Sequence, residues 1–267
     1  MTGPHQRLSV HNVTFQGESL AELEAHWAAL GVSRLSILDS QLLEPCFPML
    51  LHGNAYSVEA VYHLFAGGRL SSDPHAAREA LSTVIDASAA VGARTVYLLT
   101  GGRGDLAWAQ AADRFCTMIA PCAAQAKAAG VALAVENASS LYADIHLAHT
   151  LRDAVVLAEM GDLSLCIDVF HCWAEGDLEA MVQRALPRTA LIQLSDYVLG
   201  DRALPARAVP GDGTIPLESF VAQALAGGYR HGFDLELIGL RIDREGHLEA
   251  AQRACDVVSA MLDRLGA

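Results

Sequence analysis

The chain has 267 residues, 52% hydrophobic and 18% charged, with 18 Lys and Arg against 31 Asp and Glu and a formal charge of −13. That is enough apolar material for a large core, and a barrel of about 250 residues would take up the whole chain, 1–267, as one domain. The negative charge argues against a nucleic-acid partner, and no apolar run approaches the roughly 20 residues of a membrane span, so no membrane partner is expected either.

Taken in order, residues 8–15 (LSVHNVTF) read as a first strand. Leu20, Leu23, Trp27 and Leu30 then fall at helical spacing within 18–30, and Gly31 stops that helix. A second strand covers 34–38, and 40–57, with Pro45, Pro48 and Gly53, shows no clear period. A third strand, 58–64, runs into the Gly67-Gly68 turn. Asp73-Pro74 opens a helix to about 91, since proline is tolerated at a first helical position whose N–H has no intrahelical acceptor. A fourth strand, 95–99 (TVYLL), is followed by Gly101-Gly102-Arg103-Gly104, which reads as a plain turn. Residues 106–129 form an Ala-rich helix with an expected break at Pro121. The fifth strand ends on Glu136 and is followed by a helix over 146–160. The sixth ends on Asp168 before a helix over 177–186. The seventh carries Gln193 and ends near Asp196, and a loop over 197–215 holds Arg202 and Arg207. A helix opens at Pro216, the eighth strand ends at Glu236, and 249–265 closes the chain as a helix.

Eight strands alternating with helices, mostly apolar on both faces, predict an α/β fold, a single (β/α)8 TIM barrel. No GxGxxG follows the first strand, which weakens a dinucleotide-binding alternative. Strand parity supports closure: Ala132, Ala134 and Glu136 share a face, as do Ser164, Cys166 and Asp168, Leu191 and Gln193, and Asp234 and Glu236. Small or polar residues would fill the interior, and the last member of each set would point into the C-terminal mouth.

Burying an unpaired carboxylate costs several kcal/mol, so four buried strands ending on Glu136, Asp168, Gln193 and Glu236 need a common explanation. Convergence of their oxygens on one metal ion supplies it. Alone, Glu136 would read as half of an ion pair, Asp168 as a helix N-cap and His171 as a structural histidine. Three carboxylates and an amide oxygen are hard donors and favour Mn²⁺, with Mg²⁺ or Co²⁺ as alternatives. His11 and His63 are placed to reach the pocket from strands one and three, and Trp108 and Trp173 to wall it or cover the rim. The six cysteines form no CxxC pair, and MTGPHQRLSV lacks the apolar stretch of a signal peptide, so a reduced, cytoplasmic protein is expected.

Over about 130–240 the motifs resemble those of the xylose-isomerase-like barrels. They are Val135-Glu136-Asn137, Asp168-Val169-Phe170-His171, Leu191-Ile192-Gln193-Leu194-Ser195-Asp196, Arg207-Ala208-Val209-Pro210-Gly211-Asp212-Gly213 and Leu235-Glu236. That superfamily contains sugar isomerases, ketose 3-epimerases, hydroxypyruvate isomerase, dehydratases and endonuclease IV. The resemblance implies that Glu136, Asp168, Gln193 and Glu236 bind one divalent metal. It also implies that the two glutamates act as acid and base, and that His171 and Arg207 hold the substrate. Most epimerase-like members have His where this chain has Gln193, while hydroxypyruvate isomerases have Gln. The extra histidine motifs of endonuclease IV are missing from the sequence.

The expectation is a metal-dependent isomerase or epimerase of a small polar hydroxy-carbonyl compound, acting through an enediolate formed by proton abstraction by Glu. Two alternatives stand beside it: a lyase or dehydratase on the same site, and a non-catalytic barrel with a relict pocket. Homo-oligomerisation is compatible with either.

Overall fold

The computed structural model describes residues 3–54 and 56–267. Its strands are β1 (Leu8–His11), β2 (Arg34–Leu38), β3 (Ser57–Leu64), β4 (Thr95–Leu99), β5 (Ala132–Glu136), β6 (Ser164–Asp168), β7 (Thr189–Leu194) and β8 (Phe233–Leu235). They pair in parallel and in sequence order, and β1 closes on β8 through Leu8 opposite Phe233 and Val10 opposite Leu235. The α-helices are α1 (Leu20–Leu30), α2 (Asp39–Leu42), α3 (Phe47–Asn54), α4 (Pro74–Ala90), α5 (Trp108–Ala129), α6 (Leu151–Gly161), α7 (Val169–Cys172), α8 (Leu178–Ala185), α9 (Leu217–Ala226), α10 (Leu240–Glu245) and α11 (His247–Leu265). The molecule is therefore a single (β/α)8 barrel.

Two apolar regions hold it together. The larger lies between the strands and the outer helices, where Val10, Leu35, Ile37, Val96, Ile167 and Ile192 meet Trp27, Phe115 and Val258. The smaller fills the barrel and consists of Ala60, Tyr97, Ala134, Cys166 and Leu191, with Tyr62 against it. The parity expected for β5, β6 and β7 is the parity found. Nearer the base the interior turns polar: Ser9 donates to Asp234 Oδ1 at 2.5 Å, and Asp234 Oδ2 is buried without a partner.

Several boundaries differ from the sequence reading. The first strand stops at His11, because its Nδ1 accepts the Val13 N–H at 2.9 Å and curls Asn12–Phe15 into a 3-10 turn. The stretch 40–57 holds two short helices, α2 and α3. Helix α5 runs unbroken through Pro121, which is exposed, so the carbonyl that its missing N–H leaves free faces water. Helix α6 starts at Leu151 rather than 146, because Thr150 caps it by accepting from Asp153 N at 3.0 Å. The amides of Gly101 and Gly102 donate to the Ile145 and Gly68 carbonyls, so that segment is a backbone turn. No helix of the described residues is long and apolar enough to cross a membrane.

Candidate functional site

Each side chain at the mouth is set by its own local device. Asn137, the residue after Glu136, locks β5 to β6: its Nδ2 donates to the Asp168 carbonyl and its Oδ1 accepts the Asp168 N–H, both at 3.0 Å. His146 does the same between β4 and β5. Its Nδ1 accepts the Thr100 N–H, so its Nε2–H donates to the Glu136 carbonyl, each at 3.0 Å. Asp168 divides its two oxygens. Oδ1 caps α7 by accepting from Phe170 N at 2.9 Å, and Oδ2 pairs with Arg207, which lines the cavity. The helix-cap role and the site role thus coexist in one carboxylate.

Arg207 reaches the site on a loop that Asp196 organises. The Asp196 carboxylate accepts the N–H groups of Tyr197, Gly211, Gly213 and Ile215, at 2.8–3.0 Å. A Cβ on Gly213 would lie 2.3 Å from Asp196 Oδ1, which explains the second glycine of the Pro-Gly-Asp-Gly run. Two backbone hydrogen bonds between Asp196 and Ala208 then fix the neighbour of Arg207. The guanidinium lies 4.8 Å from the Phe170 ring centroid. Its Nη2 donates to Asp168 Oδ2 at 2.6 Å and Glu236 Oε1 at 3.1 Å, and its Nη1 to Ser195 Oγ at 3.0 Å.

Of the expected residues, Glu136, His171, Arg207, Glu236 and His11 line one cavity of about 440 Å³, while Asp168 and Gln193 do not line it and reach it only through their contacts with Arg207 and Glu236. Ligand atoms of Glu136, Asp168 and His171 lie within 4.8 Å of one another. His171 therefore stands among the possible metal donors as well as beside the substrate space; its Nε2 is 3.5 Å from Asp168 Oδ2 and 3.4 Å from Arg207 Nη2. Gln193 turns its amide nitrogen toward Glu236 Oε2 and toward the Tyr97 hydroxyl at 3.2 Å, and its oxygen accepts from the Cys166 thiol at 3.2 Å. A half-turn of the amide would bring that oxygen to the cavity side.

His11 lines the cavity, but both ring nitrogens are engaged. Nδ1 accepts from Val13, so Nε2–H donates to the Tyr97 hydroxyl at 2.7 Å. His63 does not line the cavity. On β3 Ala60 and Tyr62 face inward, so His63 faces outward, where its Nδ1 meets Asp39 Oδ2 at 2.7 Å. Trp108 donates to the Leu147 carbonyl, and Trp173 lies against Tyr197 beside a smaller side cavity. Tyr62, Tyr97, Tyr142 and Asp39 line the main cavity and went unread in the sequence. A two-residue period along β3 and β4 places the first two on the inward face.

The electrostatics are those of crowded carboxylates. Burial, then the charges of Glu236 and Asp168, push the Glu136 carboxyl well above its ordinary range. Burial raises Glu236 to about 7 against the pull of Arg207. Asp168 goes the other way: burial opposes it, but Arg207 and His171 hold it below the usual value. Burial lowers His11 to about 3 and His171 to about 4, so both rings are neutral.

These residues suit a divalent cation. Two buried carboxylates, Glu136 and Asp168, and the partly buried Glu236 share one guanidinium, which leaves an excess of negative charge. The Glu136 carboxylate, in a residue only 5% exposed, has no hydrogen-bond or ion-pair partner among the described residues. A buried carboxylate without a donor either takes a proton or binds a cation.

A family model described as a xylose isomerase-like TIM barrel matches residues 51–258. No curated protein matches the chain by sequence. Among solved structures, the IolI protein with a bound zinc atom superposes with a TM-score of 0.81 at 14% identity, covering 97% of this chain and 99% of that one. D-psicose 3-epimerase from Clostridium cellulolyticum H10, solved with D-tagatose, gives 0.77 at 18% identity over 96% and 98%. A probable 3-DHS dehydratase from Bacillus anthracis gives 0.75 at 13% identity over 95% and 98%.

Proposed function

The chain belongs to the xylose isomerase-like TIM barrel family, and on that footing we propose that it is a divalent-metal-dependent isomerase or epimerase of a small, polar hydroxy-carbonyl compound. The observation that carries this reading is the pair Glu136 and Glu236: one buried and one partly buried carboxyl on one cavity, both raised in proton affinity, the first without a protein partner.

Glu136, Asp168, Gln193 and Glu236 would hold the ion, Mn²⁺ by preference, with His171 as a further donor. When bound, the ion polarises a substrate carbonyl, acidifies the C–H beside it and stabilises the enediolate. One glutamate takes that proton. The other returns a proton to the opposite face of the same carbon in an epimerisation, or to the neighbouring carbon in an isomerisation. Such a group typically contributes about 10²–10⁴-fold to rate. Arg207, held by Asp168 and Glu236, offers a fixed positive charge where negative charge builds on the substrate oxygen. The Tyr97 hydroxyl accepts from His11 Nε2–H, which leaves its own proton to donate toward the cavity. Through Tyr97, His11 acts on the substrate indirectly.

Elimination is the second reading, favoured by the dehydratase among the structural neighbours. One experiment separates the readings. Chelator-treated protein, reloaded with Mn²⁺, Mg²⁺ or Co²⁺, is incubated in D₂O with a panel of ketoses and keto-acids, and product mass is recorded. Metal-dependent deuterium uptake supports proton abstraction, and loss of water marks the lyase. Absence of uptake and of turnover with every metal and compound would leave the non-catalytic barrel.

A further inference from the structure

The cavity has a second polar end that the reaction above does not use. In the closed order β1 to β8, β2 lies four strands from β6, directly across the barrel from Asp168. Asp39 follows β2 and lines the same cavity beside Ser40 and Tyr62. Its side chain is 30% exposed; Oδ2 is held by His63 Nδ1 at 2.7 Å, while Oδ1 makes no protein hydrogen bond among the described residues. The His63 side chain is 7% exposed and its other nitrogen, Nε2, is buried without a partner. The one hydrogen bond of that ring is thus to the Asp39 carboxylate, and it ties up Oδ2 and leaves Oδ1 as the oxygen free to accept.

We infer that Asp39, set by His63, reads the end of the substrate remote from the reacting carbon, accepting a hydrogen bond from a neutral hydroxyl there and turning away phosphates and carboxylates. This rests on the reaction proposed above. The charges around the cavity carry the second half of the inference. Asp39, Glu136 and Glu236 line it, and Arg207 is the one Arg or Lys that does so among the described residues. Arg207 is already shared by Asp168 and Glu236 on the far side. A phosphate beside Asp39 would shed its hydration next to a carboxylate, with no cation to replace the lost water. A hydroxyl meets a free acceptor oxygen. His63 is a positioning residue and touches no substrate.

The test uses matched probes on the Mg²⁺-loaded protein: dihydroxyacetone against its phosphate, and D-fructose against its 6-phosphate. Deuterium uptake gives kcat and KM, and ligand-observed NMR gives binding. The parent should favour the neutral member of a pair by at least about tenfold. Asp39→Asn should shrink that ratio about tenfold, mainly through KM, with kcat held within about threefold. His63→Leu should shrink it likewise, and His63→Asn, which keeps a donor near the Nδ1 position, should restore it. Equal use of the phosphates by the parent, or an Asp39→Asn ratio equal to the parent's, overturns the inference. If no probe exchanges deuterium, the proposed reaction loses its support while the binding ratio still judges Asp39. A binding ratio that narrows in Asp39→Asn keeps the inference; an unchanged ratio, or no binding of any probe, rejects it.

Discussion

Two glutamates of nearly equal burial sit at opposite ends of this barrel. Glu59, near the base on β3, is 1% exposed and ion-pairs with Arg34 at 2.7 Å and Arg94 at 3.3 Å. Glu136, at the mouth, is 5% exposed and has no such partner. A Cβ on Gly232 would come within 2.7 Å of the Glu59 carboxylate, so the base is built closely around its ion pair. The mouth leaves its carboxylate free, facing a cavity and two other acids. On the proposed function, the difference separates a carboxylate held for stability from one left open for chemistry, as the division of labour between the two faces of this fold leads one to expect.

The comparison breaks first at Glu136. Glu136→Gln and Glu236→Gln should each lower turnover by about 10²–10⁴-fold, since an amide keeps an oxygen but has no titratable proton to take or return. Thermal stability should hold or rise, because the exchange removes like-charge repulsion in a buried site. Steady-state kinetics and melting curves on the same preparations check both halves. Near-parental turnover in both variants would dismiss the glutamates as bases.

Glu59→Gln should show the reverse pattern. Losing the anion strands two arginines, but both reach solvent, so the cost is about 1–3 kcal/mol rather than that of a wholly buried pair. In a chain of this size that lowers Tm by several degrees. Activity per folded molecule should stay at the parental level, and a selective loss of kcat would erase the proposed contrast.

Asp234, between the two ends, gives a pH signature. Burial pushes its carboxyl up to about 8, so the folded state keeps a proton that the unfolded chain releases near pH 4. Its share of stability is complete below about pH 4, declines as pH rises, and is lost above about pH 8. Asp234→Asn removes that slope. Relative to the parent, its Tm should improve steadily from pH 4 to pH 8, and parallel curves would reject the assignment.

The smallest effect concerns Gln193. Gln193→His should keep metal binding but move the preference toward Co²⁺ or Zn²⁺, which imidazole suits better than an amide oxygen does. Competition titration with an unchanged metal ranking would remove Gln193 from the ligand set.

Much of this site is legible in the sequence. Buried strands rarely end on carboxylates, and a two-residue period assigns each side chain to a face, so Glu136, Asp168, Gln193 and Glu236 could be placed together at one mouth from local pattern alone. His63 shows where that reasoning stops: it shares β3 with Tyr62, one residue away and on the opposite face, and histidine alone does not reveal which face is inside. The expected break at Pro121 did not occur for a related reason: Pro121 lies on the exposed face of α5, where the carbonyl it frees can meet water, and burial is not written in the proline itself.

What the sequence determined by itself was periodic and local: eight strand–helix units, the strand ends and the loop motif that delivers Arg207. Tertiary structure alone decided the contacts between distant segments. It closed β1 onto β8, paired Glu59 with Arg34 and Arg94 while leaving Glu136 unpaired, set Arg207 across Asp168 and Glu236, and turned the Gln193 amide nitrogen toward Glu236. Those outcomes depend on which charges come within about 4 Å in a site largely shut from water, where a carboxylate's partner fixes its protonation. No period in the chain encodes that distance, because it exists only once the barrel has closed.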